Sequence, residues 1–171
     1  NSVALLRIQG LRWVGRSFGL LLAIACTLVP ALPLGGYLSQ PPLPFAAMWL
    51  AYGWAADGGG GWRAPVIIMA LGLLQDWLSG GPLGLYALLF VGAYVLGGRA
   101  AAFMQSANFL SPWMGLGVTL IGVFVLAAIC VPLALGPQAG LGAFGEALAV
   151  TGLVFPLVRP LYMNASTGNR P

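Results

Sequence analysis

Residues 65–97 read PVIIMALGLLQDWLSGGPLGLYALLFVGAYVLG, two apolar runs separated by Ser79-Gly80-Gly81-Pro82. The first run, 65–78, opens on a proline, which suits the first turn of a helix because its missing N–H is unpaired there anyway. Pro82 reads in the same way as the first helical residue of the second run, 83–97. Only four residues separate the two helical patterns, so the helices must be antiparallel neighbours. The segment is a helical hairpin with one acid, Asp76, beside its turn.

The rest of the chain follows the same pattern. Of 171 residues, 60% are hydrophobic and 6% charged, against about 25% charged in soluble domains, which excludes a water-soluble globule. Charges, prolines and glycines divide the chain into six apolar stretches at about 17–38, 43–56, 65–78, 83–97, 112–135 and 141–163. A span of the hydrocarbon core takes about 20 residues, so the sequence predicts a single all-α transmembrane domain over 1–171 with about six helices. Stretch 43–56 would reach only about 21 Å as a helix, which makes it a short span or a partly re-entrant one. The basic segment before 17–38 also resembles a secretory signal, but the apolar run continues well past Cys26. The glycine run at 58–61, bracketed by Asp57 and Arg63, lacks the Lys-Ser/Thr of a phosphate loop and reads as a flexible loop.

All seven basic residues are arginines, at 7, 12, 16, 63, 99, 159 and 170, and the acids are Asp57, Asp76 and Glu146. With six spans and cytoplasmic termini, every arginine falls on the cytoplasmic side. The opposite loops at 39–42, 79–82 and 136–140 hold none. Arginines flanking apolar spans are retained inside, so the split predicts an N-in, C-in topology. A net charge of +4 is too sparse for a nucleic-acid surface. Trp13, Trp62, Trp77 and Trp113 fall near span ends, where tryptophan anchors at the interface. The sequon Asn164-Ala165-Ser166 lies in the polar tail, on the side where it would not be modified.

The chain contains no histidine, which removes Ser-His and Cys-His pairs, an imidazole base and an imidazole metal ligand. Cys26 and Cys130 both lie in apolar runs and suggest neither a disulfide framework nor a zinc site. No cofactor or metal is expected. Asp57 and Asp76 are predicted at opposite membrane faces, which argues against an intramembrane aspartyl protease, since that needs two facing aspartates. An acid at the bilayer centre costs about 2.5–3.5 kcal/mol on insertion scales, so intramembrane carboxylates are functional candidates by default. For Asp76, capping of the hairpin through backbone amides stands against ligand or proton chemistry. For Glu146, the neighbours Gly142, Ala143, Ala149 and Val150 form a small-residue face that permits close helix approach. Glu146, Gly142 and Ala149 are therefore expected to be buried in helix packing, in preference to a transport carboxylate.

The pattern Asp76-x-x-Ser79-Gly80-x-x-Leu83-Gly84, set between two apolar helices, resembles the central signature of the rod shape-determining MreD family. The basic N-terminus, Pro44 followed by Tyr52 and Trp54, and Pro156 followed by Arg159 extend the resemblance more loosely. The glycine run at 58–61 and the absence of lysine depart from it. The resemblance implies a non-enzymatic inner-membrane component of the bacterial elongation machinery. Such a component would partner a bitopic MreC-like protein and, through it, link cytoplasmic MreB to the peptidoglycan synthases outside, with membrane lipid as its surroundings. That family is distantly similar to substrate-binding subunits of energy-coupling-factor vitamin transporters, which supply the alternative reading.

Overall fold

The computed structural model describes residues 17–28, 45–57, 61–80, 82–103, 110–136 and 141–162. The arginines at 7, 12, 16 and 170, the turn at 39–42, Pro44, Gly58 to Gly60, Gly81 and the polar tail lie outside the described residues. These residues form six helices and no strand: α1 (Ser17–Leu28), α2 (Ala46–Ala56), α3 (Arg63–Ser79), α4 (Leu85–Phe103), α5 (Leu110–Leu135) and α6 (Gly142–Tyr162). Three segments, Leu85–Phe103, Pro112–Leu135 and Gly142–Arg159, are long and apolar enough to cross a membrane.

From α2 to α6, helices consecutive in the chain alternate in direction. Phe45 at the start of α2 packs at tilted or edge-on angles against Tyr86, Phe90 and Phe144, with ring centroids 5.9, 6.2 and 5.3 Å away. Further along α2, Tyr52 meets Phe155 edge-on at 5.8 Å. Positions rise together on α2, α4 and α6, so these three helices run parallel. Positions run in opposition where Gly72 of α3 meets Ala87 of α4, Gly92 of α4 meets Leu126 of α5, and Gly145 of α6 meets Phe124 of α5. Helices α3 and α5 therefore run against the other three.

Two consequences concern charge. Arg63 at the start of α3, Arg99 near the end of α4 and Arg159 near the end of α6 all lie at one end of the bundle, with Asp57. Asp76, near the end of α3, and Glu146, near the start of α6, lie at the other.

Helix α2 sits inside the bundle. It has 11 residues, nine of them buried, and at about 1.5 Å per residue it is roughly 16 Å long. A helix that is apolar on every side belongs in an interior. It contacts α3, α4 and α6, and Met48, Trp49, Leu50 and Tyr52 are among the largest fully buried side chains. Helix α3, by contrast, buries one face: Ala64, Ile68, Leu71, Gly72 and Asp76, at the i, i+4, i+7 spacing of an amphipathic helix. Ala23 brings α1 into the same core.

The hairpin departs from the predicted boundaries in one instructive way. Pro82 is not the first residue of α4; the helix begins at Leu85. Gly84 takes φ +100°, a conformation a right-handed helix cannot include, so α4 starts after it. At its far end α4 continues through Gly97, Gly98 and Arg99 to Phe103. Glycine inside a helix costs about 1 kcal/mol and does not by itself end one.

Candidate functional site

Asp76, Ser79, Gly80, Leu83 and Gly84 come together at the α3–α4 hairpin. Helix α3 ends on Gly80, whose φ of +66° is the left-handed conformation that glycine adopts at helix C-termini. The Ser79 hydroxyl donates to the Asp76 carbonyl oxygen at 3.1 Å. The chain turns back through Gly84, and the first amides of α4 then point at the Asp76 carboxylate. Its Oδ2 accepts from Gly84 N at 2.8 Å and Ala87 N at 3.3 Å, and its Oδ1 accepts from Tyr86 N at 2.8 Å.

The first four N–H groups of a helix have no partner within it. Asp76 supplies partners for two of them from the neighbouring helix, and its negative charge faces the positive end of the α4 dipole. The carboxylate is 1% exposed, so the three amides take the place of water. The remaining hairpin residues face outward: Ser79, Gly80 and Leu83 are exposed, and Trp77 beside Asp76 is 75% exposed. The hairpin is a rigid, internally bonded turn presenting a mixed polar and apolar tip.

One glycine makes the close approach possible. A Cβ on Gly72 would overlap the Cα of Ala87 and stand 2.6 Å from its backbone nitrogen. One turn below Asp76, then, α3 and α4 touch backbone to backbone, and this brings the carboxylate within reach of the α4 amides.

A second polar cluster was not visible in the sequence reading. The Thr151 hydroxyl of α6 accepts from Phe45 N at 2.8 Å and donates to Ala147 O at 2.6 Å. The Trp49 indole donates to Thr151 O at 2.8 Å. These bonds pin the start of α2 to the middle of α6. The available signal was a lone threonine midway along an apolar span, together with Trp49, a tryptophan placed away from any span end.

Glu146, Gly142 and Ala149 are exposed, not buried as expected. The face of α6 that enters the core carries Ala147, Leu148, Thr151 and Phe155. Glu146 lies roughly 100° or more around the helix from Ala147 and Thr151, since each residue turns about 100°. The small-residue face therefore looks outward. Beside it, α5 and α6 enclose an open apolar groove of about 740 Å³, whose wall includes Trp113, Leu120, Phe124, Gly145, Gly152 and Leu153. Trp113 closes one end by donating its indole N–H to Gly152 O at 3.1 Å.

The three acids do not converge. Asp57 caps the end of α2, its N–H donating to Gly53 O at 3.0 Å, at the opposite end of the bundle from Asp76. Among the described residues no group of three His, Cys, Asp or Glu side chains is placed to hold a metal ion.

Comparison with protein-family models, with curated proteins and with solved structures returned no match. The class defined by the described residues is that of an all-helical protein with three helices long and apolar enough to cross a membrane.

Proposed function

We propose that this chain is a non-enzymatic, multi-pass scaffold of the bacterial inner membrane that belongs to the elongation machinery and is similar to MreD. In this reading it binds an MreC-like bitopic protein and helps couple cytoplasmic MreB to peptidoglycan synthesis. Six helices cross or enter the bilayer, and both termini are cytoplasmic.

The observation that carries the reading is the hairpin. Four of the five residues that resemble the family signature serve one local purpose, while Leu83 stays exposed at the tip: Gly80 and Gly84 turn the chain, Ser79 closes the end of α3, and Asp76 caps α4. An acid engaged by three backbone amides builds structure; a proton or substrate carrier would need it free. The collection of Arg63, Arg99 and Arg159 at one end of the bundle supports the orientation, because arginines are retained on the cytoplasmic side. Large apolar side chains cover the outside, including Ile121, Val125 and Ile129 on α5, more than an aqueous surface carries.

Purification of the intact chain from its native membranes in mild detergent, with bound proteins and small molecules identified by mass spectrometry, tests the reading. Recovery of a bitopic MreC-like protein, together with loss of rod shape on depletion of the chain, is the expected result. Recovery of an ATPase module and a tightly held vitamin would replace the scaffold with a transporter subunit.

A further inference from the structure

We propose that the α5–α6 groove and the adjoining Glu146 form the seat of a partner transmembrane helix that carries an arginine or lysine at the level of Glu146. This deepens the scaffold reading and rests on it, although the two can fail separately.

Glu146 lies in the first turns of α6, about 6 Å along the helix from Gly142, within the apolar segment Gly142–Arg159 that is able to cross a membrane. It is exposed and forms no hydrogen bond or ion pair among the described residues. Ionisable side chains inside a membrane usually face a bundle interior or a partner charge, because lipid solvates them poorly. The chain's own described cations cannot serve. Arg63, Arg99 and Arg159 all stand at the far end of the bundle, so none of the described helices supplies a counter-charge.

The surroundings of Glu146 fit a helix better than a loop or a lipid headgroup. Glu146, Ala149, Leu153 and Leu157 form one exposed stripe at i, i+3, i+7 and i+11, the spacing of a single helix face. The groove runs along this stripe from the level of Trp113 and Gly152 to that of Phe124 and Gly145. Small residues in its wall let a second backbone come close, and close packing with interhelical bonds is what holds helices together in lipid. A second copy of the chain is a poor occupant. Met114, Val118, Ile121 and Val125 are exposed on α5, and Leu153 and Leu157 on α6; none offers a cation, and a symmetric contact would set Glu146 against Glu146.

The proposal is tested with a photo-crosslinking benzophenone residue at Leu153, which is 71% exposed, in the full-length chain in native membranes, with the same residue at Val95 on α4 as control. The expected product at Leu153 is one adduct to a single-span protein with an arginine or lysine about two helical turns from the crosslink, the distance along α6 from Leu153 to Glu146. Glu146→Leu should lower its yield about tenfold without changing the thermal stability of the chain. Glu146→Arg should do the same, and exchanging the partner's cation for glutamate should restore the adduct. Adducts to lipid only, or to this chain in the same or another copy, would overturn the proposal. So would a partner without the cation, or a yield indifferent to Glu146. A qualifying partner foreign to cell elongation would uphold the seat and refute the function proposed above. Lipid adducts alone beside an intact shape phenotype would do the reverse.

Discussion

The Asp76 carboxylate lies 2.8 Å from the backbone nitrogen of Gly84, so a side chain near the end of one helix seals the beginning of the next. Because Tyr86 and Ala87 donate to the same carboxylate, the hairpin is held at both of its helical ends by eight to eleven residues of local chain. Its stability should depend on the shape and charge of this one group.

Asp76→Asn keeps one acceptor oxygen and should lose about 1–2 kcal/mol. Asp76→Leu leaves buried amides without partners, each costing about 1–3 kcal/mol, and should lose about 3 kcal/mol or more. Thermal unfolding in detergent, read beside a cell-shape complementation assay, checks this. If Asn and Leu were equally inactive while both proteins stayed fully stable, Asp76 would be a proton or substrate site.

Gly72 offers a sharper steric test. Gly72→Ala places a methyl group against the α4 backbone and forces the two helices apart, at an expected cost of about 1–3 kcal/mol. Gly117 of α5 has open space where a Cβ would go, so Gly117→Ala should be neutral or slightly stabilising. Equal melting temperatures for the two variants would contradict the α3–α4 contact.

The orientation can be read chemically. In a chain whose Cys26 and Cys130 are replaced by alanine, single cysteines at Ser39, Ser79 and Gln138 should react with a membrane-impermeant maleimide in intact cells. Those at Gly59 and Ser106 should react only after the membrane is opened. Labelling at Ser106 in intact cells would overturn the N-in, C-in arrangement.

Thr151→Val keeps the volume of the side chain and removes its hydroxyl, leaving the Phe45 amide without its partner. The expected loss is about 1–3 kcal/mol. Trp49→Phe removes the neighbouring bond, to the Thr151 carbonyl, which the valine retains. Because both bonds hold α2 to α6, a double-mutant cycle should show coupling of about 0.5 kcal/mol or more; strict additivity would mean that the two act independently.

The hairpin was legible because every signal there is local. A four-residue connection, two left-handed glycines and an acid within reach of the next helix leave one geometry. The burial of α2 was not legible, since a fourteen-residue apolar stretch has the same composition whether it meets lipid or protein. Only the packing of Phe45, Trp49 and Tyr52 against α4 and α6 decides it. Glu146 misled for a related reason. Gly142 and Ala149 permit close approach on their face of α6, but small residues do not say whether the approaching helix belongs to the same chain. The opposite face, with Leu148, Thr151 and Phe155, carries larger side chains and takes the core.

That exposure sharpens the last prediction. Ala149 lines the groove and is exposed, so Ala149→Leu adds bulk where no part of the described chain has to move. Its effect on the melting temperature should be negligible, as for substitutions on surfaces away from packing contacts. A helix seated in the groove would have to withdraw by the width of the added side chain, and loss of close packing is costly in lipid, where burial of apolar surface gives no compensating gain. Pull-down of an MreC-like protein should therefore fall severalfold with Ala149→Leu and stay unchanged with the equivalent change at Ala102, which is exposed on the remote end of α4. A destabilised Ala149→Leu protein would place this face inside the fold after all. A stable variant that retains its partner in full would move the contact surface elsewhere on the bundle.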